Sequence, residues 1–165
     1  MMTRVFIFLF IVLSWNVSSK ETLKEFLKRH HNDKIPYIQP YRTSVLLPKN
    51  SFILDARETK EFEVSHLNNA IHIGYKNFDL SRVQKQITNK ESLIVVYSTI
   101  GKRSEEIAEK LKSAGFLNVF NLFGGIIQWK NKGMPVYDWK DKETKRVHVF
   151  NKEYGKWLTN GRKVY

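Results

Sequence analysis

The sequence LIVVYSTIGKRSEEIAEKLKSAG, residues 93–115, decides the fold of this chain. Its first five residues form a continuous apolar run, which is typical of a parallel strand that is covered on both faces. Residues 104–114 then place Ile107, Ala108 and Leu111 on one side of a helix, and Gly115 supplies a left-handed C-terminal cap. The pattern predicts a central strand that passes through a short loop into a helix.

Strands and helices alternate on both sides of this unit. Short apolar strands are predicted at residues 52–54, 70–73 and 118–122, and helices at residues 59–63, 79–86 and 126–131. Because short helices separate the strands, we expect an α/β fold with a central, mostly parallel sheet and helices on both faces. We place this domain at residues 48–136, beginning near Pro48.

Short extensions flank the predicted domain at both ends. Residues 20–47 begin with a helix, where Thr22 and Glu25 have capping-box spacing, and continue as an extended connection, since each proline disfavours helix at the preceding residue. Residues 137–165 form an aromatic-rich appendage with a strand near residues 147–150 and a helix near 154–158. We expect the appendage to pack on the domain; a partner-binding surface is the alternative.

The first nineteen residues have the pattern of a secretory signal peptide. Arg4 precedes an apolar stretch at residues 5–13, and Ser18 and Ser19 provide small residues before Lys20. The stretch is shorter than the ~20 residues of a transmembrane helix, so we expect no stable membrane anchor after cleavage near Ser19. Export to the periplasm or the extracellular space is therefore predicted.

Composition excludes several classes of protein. The chain has 165 residues, of which 42% are hydrophobic, so one globular core is expected. With no cysteine, the chain forms no disulfide and no thiolate metal site, and it supplies no sulfur nucleophile of its own. The net charge of +12 favours anionic partners, but no run of like charge is present, so no nucleic-acid partner is expected. We also expect no metal and no cofactor.

The candidate site is the loop after the central strand, because ligands of open α/β sheets bind at the C-terminal ends of strands. The predicted loop has six residues, Ser98, Thr99, Ile100, Gly101, Lys102 and Arg103. Its amides and the following helix N-terminus can surround an anion, and Gly101 relieves crowding of the backbone. Lys102 and Arg103 add positive charge.

Further motifs surround this loop. FILDARETKEFEVSHLNNAIHI (residues 52–73) contains the sequence Asp55-x-Arg57-Glu58 and the pair His66-Leu67, and GGIIQW (residues 124–129) follows the helix. With these motifs the chain resembles the rhodanese-like domain family over residues 48–136. The resemblance implies a sulfurtransferase scaffold. In active members the first loop residue is a cysteine, which takes sulfur from a donor such as thiosulfate and passes it on from a persulfide. The matching residue here is Ser98.

Serine at this position changes the expected chemistry. A thiol has a pKa of ~8.5, which amides and a helix dipole can lower, whereas a hydroxyl is poorly acidic and forms no persulfide. We therefore predict a catalytically silent module that keeps the anion-binding loop and binds a sulfur-containing or other oxyanion, or a protein partner. The alternative is an active thiosulfate or persulfide sulfurtransferase, if the natural residue at position 98 is Cys. A third hypothesis is sulfur transfer by a partner's cysteine.

Other polar residues near the motifs have supporting roles in this interpretation. Ser98 as a hydrolase nucleophile would need a base such as His66 or His72, oriented by Asp55, but the glycine two residues before such a serine is missing. Asp55 and Arg57 are expected to form a salt bridge or loop hydrogen bond. His66 is expected to be a hydrogen-bonded turn residue.

Overall fold

A computed structural model describes residues 21–32, 34–46 and 50–165. The predicted signal peptide and the predicted domain start at Pro48 lie outside these residues. The helices are α1 (Leu23–His30), α2 (Pro40–Leu46), α3 (Thr59–Val64), α4 (Leu80–Gln86), α5 (Lys102–Ser113), α6 (Gly125–Asn131) and α7 (Lys152–Gly155). The strands are β1 (Tyr37–Ile38), β2 (Ser51–Asp55), β3 (Ile71–His72), β4 (Leu93–Tyr97), β5 (Asn118–Leu122), β6 (Val136–Tyr137), β7 (Glu143–Thr144), β8 (Arg146–His148) and β9 (Arg162–Val164). In these ranges, no helix combines the length and the apolar character needed to cross a bilayer.

A five-stranded sheet with strand order β1-β5-β4-β2-β3 forms the centre of the fold. All four of its strand pairs are parallel. β4 lies in the middle and pairs along its whole length with β2, from Ser51 opposite Leu93 to Asp55 opposite Tyr97. The predicted α/β fold and the central position of the LIVVY strand are confirmed.

Two apolar clusters cover the two faces of this sheet. Alternate residues of β4 point to opposite faces, so Val95 and Tyr97 join one cluster whereas Ile94 and Val96 join the other. α1 and α6 pack in the first cluster, and α4 and α5 pack in the second. The sheet is therefore covered by helices on both sides, as predicted.

The N-terminal extension differs from the extended connection predicted for it. The capping box of Thr22 and Glu25 opens α1 as expected. However, Tyr37–Ile38 forms an edge strand that pairs with β5, and α2 begins at Pro40. Proline suits the first position of a helix, because its fixed φ is already helical and a backbone N–H at this position would have no acceptor within the helix. The prolines thus mark a helix start as well as breaks.

The C-terminal appendage packs on the domain as expected. β8 and β9 form a small parallel pair, and α7 lies between them in sequence. The side chains of Val147, Val149, Trp157 and Leu158 are buried in the same cluster as α1 and α6. The Trp157 indole N–H also donates to the backbone oxygen of Glu21, at 3.1 Å. The helix of this segment is α7, which begins and ends earlier than predicted.

Candidate functional site

The loop after β4 is shorter than predicted. Gly101 has a φ of 102° and is the N-cap of α5, so Lys102 and Arg103 belong to the first helical turn. The left-handed backbone at Gly101, which glycine adopts without steric cost, turns the chain directly into the helix. The six-residue loop is therefore corrected to residues 98–101 followed by the first turn of α5.

Ser98 lies at the start of this loop with 1% of its surface exposed. Its Oγ accepts a hydrogen bond from the Gly101 N–H at 3.1 Å and lies 3.2 Å from the Ser104 Oγ. Ser104 in turn donates to Asn121 Oδ1 at 2.8 Å, and Asn121 Nδ2 donates to the Gly101 oxygen at 2.8 Å. The Ser98 side chain thus closes the loop, and these polar partners include no base.

Gly125 fixes the other side of the loop. The Ile126 and Ile127 N–H groups donate to the Ser98 and Thr99 oxygens, at 3.0 and 3.2 Å. A Cβ atom at Gly125 would lie 2.2 Å from the Ser98 oxygen, which no packing tolerates. The second glycine of the GGIIQW motif therefore allows α6 to approach the loop backbone directly.

Arg103 is held by a carboxylate that the sequence analysis did not single out. Its two terminal nitrogens donate to Glu61 at 2.8 and 2.7 Å, and one of them also lies 2.8 Å from Thr99 Oγ1. Burial raises the pKa of Glu61, but the hydrogen bonds and charge of Arg103 outweigh it and lower the pKa to about 2. Arg103 therefore braces the loop, and Glu61 balances the positive charge expected from it.

Glu61 could have been found from its spacing to Glu58. The Glu58 N–H donates to Glu61 Oε2 at 3.1 Å, so the pair forms a capping box at the start of α3. This spacing locates a helix start. The partnership with Arg103, 42 positions away, appears only in the fold.

A buried network supports the end of β2, as expected for Asp55 and Arg57. Arg57 donates to Asp55 at 2.9 and 2.6 Å, and Tyr97 donates its hydroxyl to the same carboxylate. Burial lowers the pKa of Arg57. The charge of Asp55, the charges nearby and the hydrogen bonds to Asp55 outweigh this effect, so the pKa is raised. Burial raises the pKa of Tyr97 well above its usual value. The expected Asp55–Arg57 salt bridge is present.

The two candidate histidines contact other parts of the fold. His66 stacks on Phe62 with ring centroids 4.0 Å apart, and its backbone pairs with Tyr137. The His72 Nε2 atom lies 2.8 Å from the Arg57 oxygen. Neither ring is hydrogen-bonded to Ser98, so the serine-hydrolase arrangement is not formed. In the ranges that the structure describes, no three side chains of His, Asp or Glu are placed to hold a metal ion.

The loop opens into a pocket of about 230 Å³. Loop atoms, charged side chains of α5 and three aromatic rings line it: Ser98, Thr99, Ile100, Lys102, Arg103, Glu106, Tyr75, Phe150 and Tyr154. The Tyr75 hydroxyl donates to Glu106 at 2.6 Å, which raises the pKa of Tyr75. Sequence analysis did not place Phe150 and Tyr154 at the site, because they reach it through the packing of the C-terminal appendage.

Comparison with known proteins identifies the family to which this fold belongs. A family model described as the rhodanese-like domain matches residues 42–132. The chain belongs to the rhodanese-like domain family. Among solved structures, this rhodanese-like domain is similar to one from Anabaena (26% identity, TM-score 0.55, 62% of this chain and 79% of that chain). It is also similar to a rhodanese-related protein from Thermoplasma volcanium, with 27% identity and a TM-score of 0.52 over 61% of this chain and 96% of that chain.

Curated relatives are longer proteins. The tRNA uridine(34) hydroxylase of Aster yellows witches'-broom phytoplasma is 39% identical over 101 residues, which cover 59% of this chain and 33% of the relative. The protein of the same name from Listeria monocytogenes is 35% identical over 96 residues, 54% of this chain and 30% of the relative. This rhodanese-like domain thus spans about a third of the curated relatives it matches.

Proposed function

We propose that this rhodanese-like domain is a catalytically silent member of its sulfurtransferase family that binds an oxyanion at residues 98–103. Ser98 carries the proposal, because it occupies the first loop position and its hydroxyl is buried and used as a hydrogen-bond acceptor. A serine hydroxyl, unlike a thiol, stays protonated at neutral pH, and its oxygen cannot form the sulfur–sulfur bond of a persulfide. Sulfur transfer through this residue is therefore not expected.

The backbone of the loop supports anion binding. Within the described part of the chain, the N–H groups of Thr99 and Ile100 donate to no protein acceptor. The first-turn N–H groups of α5 lack intrahelical acceptors, as in every helix, and the helix dipole favours negative charge there. The exposed, positively charged side chain of Lys102 lines the pocket.

Thiocyanate formation from thiosulfate and cyanide tests the silent-module proposal. We expect no turnover by the parent protein and measurable turnover by Ser98→Cys, because the pocket keeps its loop and lacks only a thiol. Ser113→Cys, at an exposed position near the end of α5, is the matched control for a free thiol outside the pocket. Turnover by the parent would refute the proposal. Silence of Ser98→Cys in a folded protein would show that the loop no longer supports transfer.

Export is part of the same proposal. The charged, apolar and small-residue pattern of residues 1–19 supports it. N-terminal sequencing of the protein released from its host cells should then begin near Lys20. An N-terminus at Met1 or Met2 in a soluble cytoplasmic fraction would contradict export.

A role on tRNA is the second candidate, and the shared name of the curated relatives favours it. The net charge of +12 would assist binding to any RNA. The proposed anion-binding module is expected to form no saturable complex with tRNA at about 150 mM salt in a mobility-shift assay, because phosphate contacts weaken steeply with salt. A complex of defined stoichiometry at that salt concentration would favour the tRNA candidate instead.

A further inference from the structure

We propose that the C-terminal appendage gives the loop pocket its ligand class: a small organic anion that carries one flat aromatic ring. This inference rests on the proposed function, because the anionic group is expected to lie on the loop amides. The aromatic ring of the ligand is expected to stack against the aromatic side chains of the pocket.

Three aromatic rings from two separate parts of the chain line the pocket. Tyr75 follows β3, whereas Phe150 and Tyr154 belong to the C-terminal appendage. The Phe150 and Tyr154 rings stack at 5.7 Å, and the Arg103 guanidinium lies 4.8 Å from the centre of the Phe150 ring. The Tyr154 ring also stacks on Trp157 at 5.8 Å, so the exposed part of the Phe150 ring is the surface that a further ring can meet in offset or edge-to-face geometry.

Phe150 is held in an unusual backbone conformation. Its φ is 67°, a region that bulky residues rarely adopt, and 47% of its surface is exposed. The Phe150 N–H donates to His148 Nδ1 at 3.1 Å, which holds the backbone in place. A half-exposed ring gains little from core packing, so strain at this position points to a use at the pocket.

The size of the pocket suits one ring with an anionic head. An apolar cavity of about 150 Å³ accommodates benzene. The pocket here measures about 230 Å³, which leaves space for a sulfonate or carboxylate. A bare sulfate would leave the aromatic walls without contacts.

The loop N–H groups favour an anion over a cation. Aromatic rings beside a carboxylate also attract quaternary ammonium groups. Here the Glu106 carboxylate accepts a hydrogen bond from Tyr75. Arg103 is paired with Glu61, so Lys102 supplies the remaining positive charge of the lining. An organic cation would meet Lys102 and the positive end of the α5 dipole.

Calorimetric titration of the full chain at constant ionic strength tests the inference. The probes are benzenesulfonate, methanesulfonate and benzyltrimethylammonium. We expect benzenesulfonate to bind roughly tenfold tighter than methanesulfonate, from stacking and desolvation of one ring. Phe150→Gly should reduce this preference to about threefold or less while keeping the affinity for methanesulfonate. Glycine adopts the positive φ freely, so this variant is expected to fold.

Trp139→Ala is the matched control, because Trp139 is an exposed aromatic residue outside the pocket, and it should keep the full preference. Equal affinity of the parent for both sulfonates would overturn the aromatic site and leave the anion-binding loop standing. Preferential binding of benzyltrimethylammonium, or a preference unchanged in Phe150→Gly, would also overturn it. Absence of binding by both sulfonates would refute the anion-binding loop itself and the inference with it.

Discussion

Replacement of Glu61 by Gln is expected to cost about 3 kcal/mol of folding stability at pH 7, and this cost should shrink in acid. The pKa of Glu61 is about 2 in the fold, against an ordinary value of 4.5, because Arg103 outweighs the opposing effect of burial. A pKa difference of one corresponds to about 1.36 kcal/mol. The side chain is almost completely buried, so solvent screens the pair little.

The sign of the pH dependence follows from the lowered pKa. The stabilisation by ionised Glu61 is fully present above pH 4.5 and is lost as the pH falls toward 2. Glutamine cannot ionise and lacks this contribution at every pH. The difference between parent and Glu61→Gln should therefore fall to about 1.4 kcal/mol at pH 3.

Urea unfolding at pH 7, 5, 4 and 3 measures the difference. Glu63→Gln is the matched control, because Glu63 lies exposed on the same helix, and its effect should stay within about 0.5 kcal/mol at each pH. A Glu61→Gln cost that is the same at pH 7 and pH 3 would refute the argument, since the loss would then come from shape and not from charge.

Three further substitutions, and Gly133→Ala as a control, test the packing around the site. Gly125→Ala should prevent native packing of α6 and abolish a cooperative thermal transition, whereas Gly133→Ala, with open space around it, should cost only about 1–2 kcal/mol of backbone strain. Trp157→Ala should cost about 3–5 kcal/mol in urea unfolding, and a cost below about 1 kcal/mol would show that the appendage is not part of the core. Tyr97→Phe should cost about 1–3 kcal/mol, because a buried carboxylate and an N–H lose a partner; a neutral result would contradict the network.

Local patterns made the centre of the fold predictable. β4 and β5 have the predicted bounds, because each is an apolar or alternating run with a turn signal on either side. The strand predicted near residues 147–150 overlaps β8, but β1 and β9 have only two and three residues, too few for any periodicity, and neither was predicted. Their pairing depends on contacts between distant parts of the chain, which a sequence pattern does not record.

In the candidate site, too, the features that are local in sequence were predictable, whereas those formed by distant residues were not. The loop from Ser98 and the Asp55–Arg57 pair are local in sequence, so the spacing of the motifs predicts both. The carboxylate of Glu61 and the rings of Phe150 and Tyr154 reach the site only through tertiary packing. Sequence analysis therefore predicts the loop and the basic residues of the pocket but not its aromatic lining.

Different residues determine the conformation of the loop and its reactivity. Ser98 contributes one hydrogen-bond acceptor to the loop, whereas Asn121 and Ser104 tie the loop to the helix and sheet, and Arg103 ties it to α3. Breaking a buried ion pair costs about 3–5 kcal/mol, but the loss of one neutral hydrogen bond costs about 1 kcal/mol. A change of the residue at position 98 can therefore remove sulfur chemistry while the pocket keeps its form. In the proposed anion site, selectivity then depends on the residues that line the pocket, and the C-terminal appendage supplies two of them, Phe150 and Tyr154.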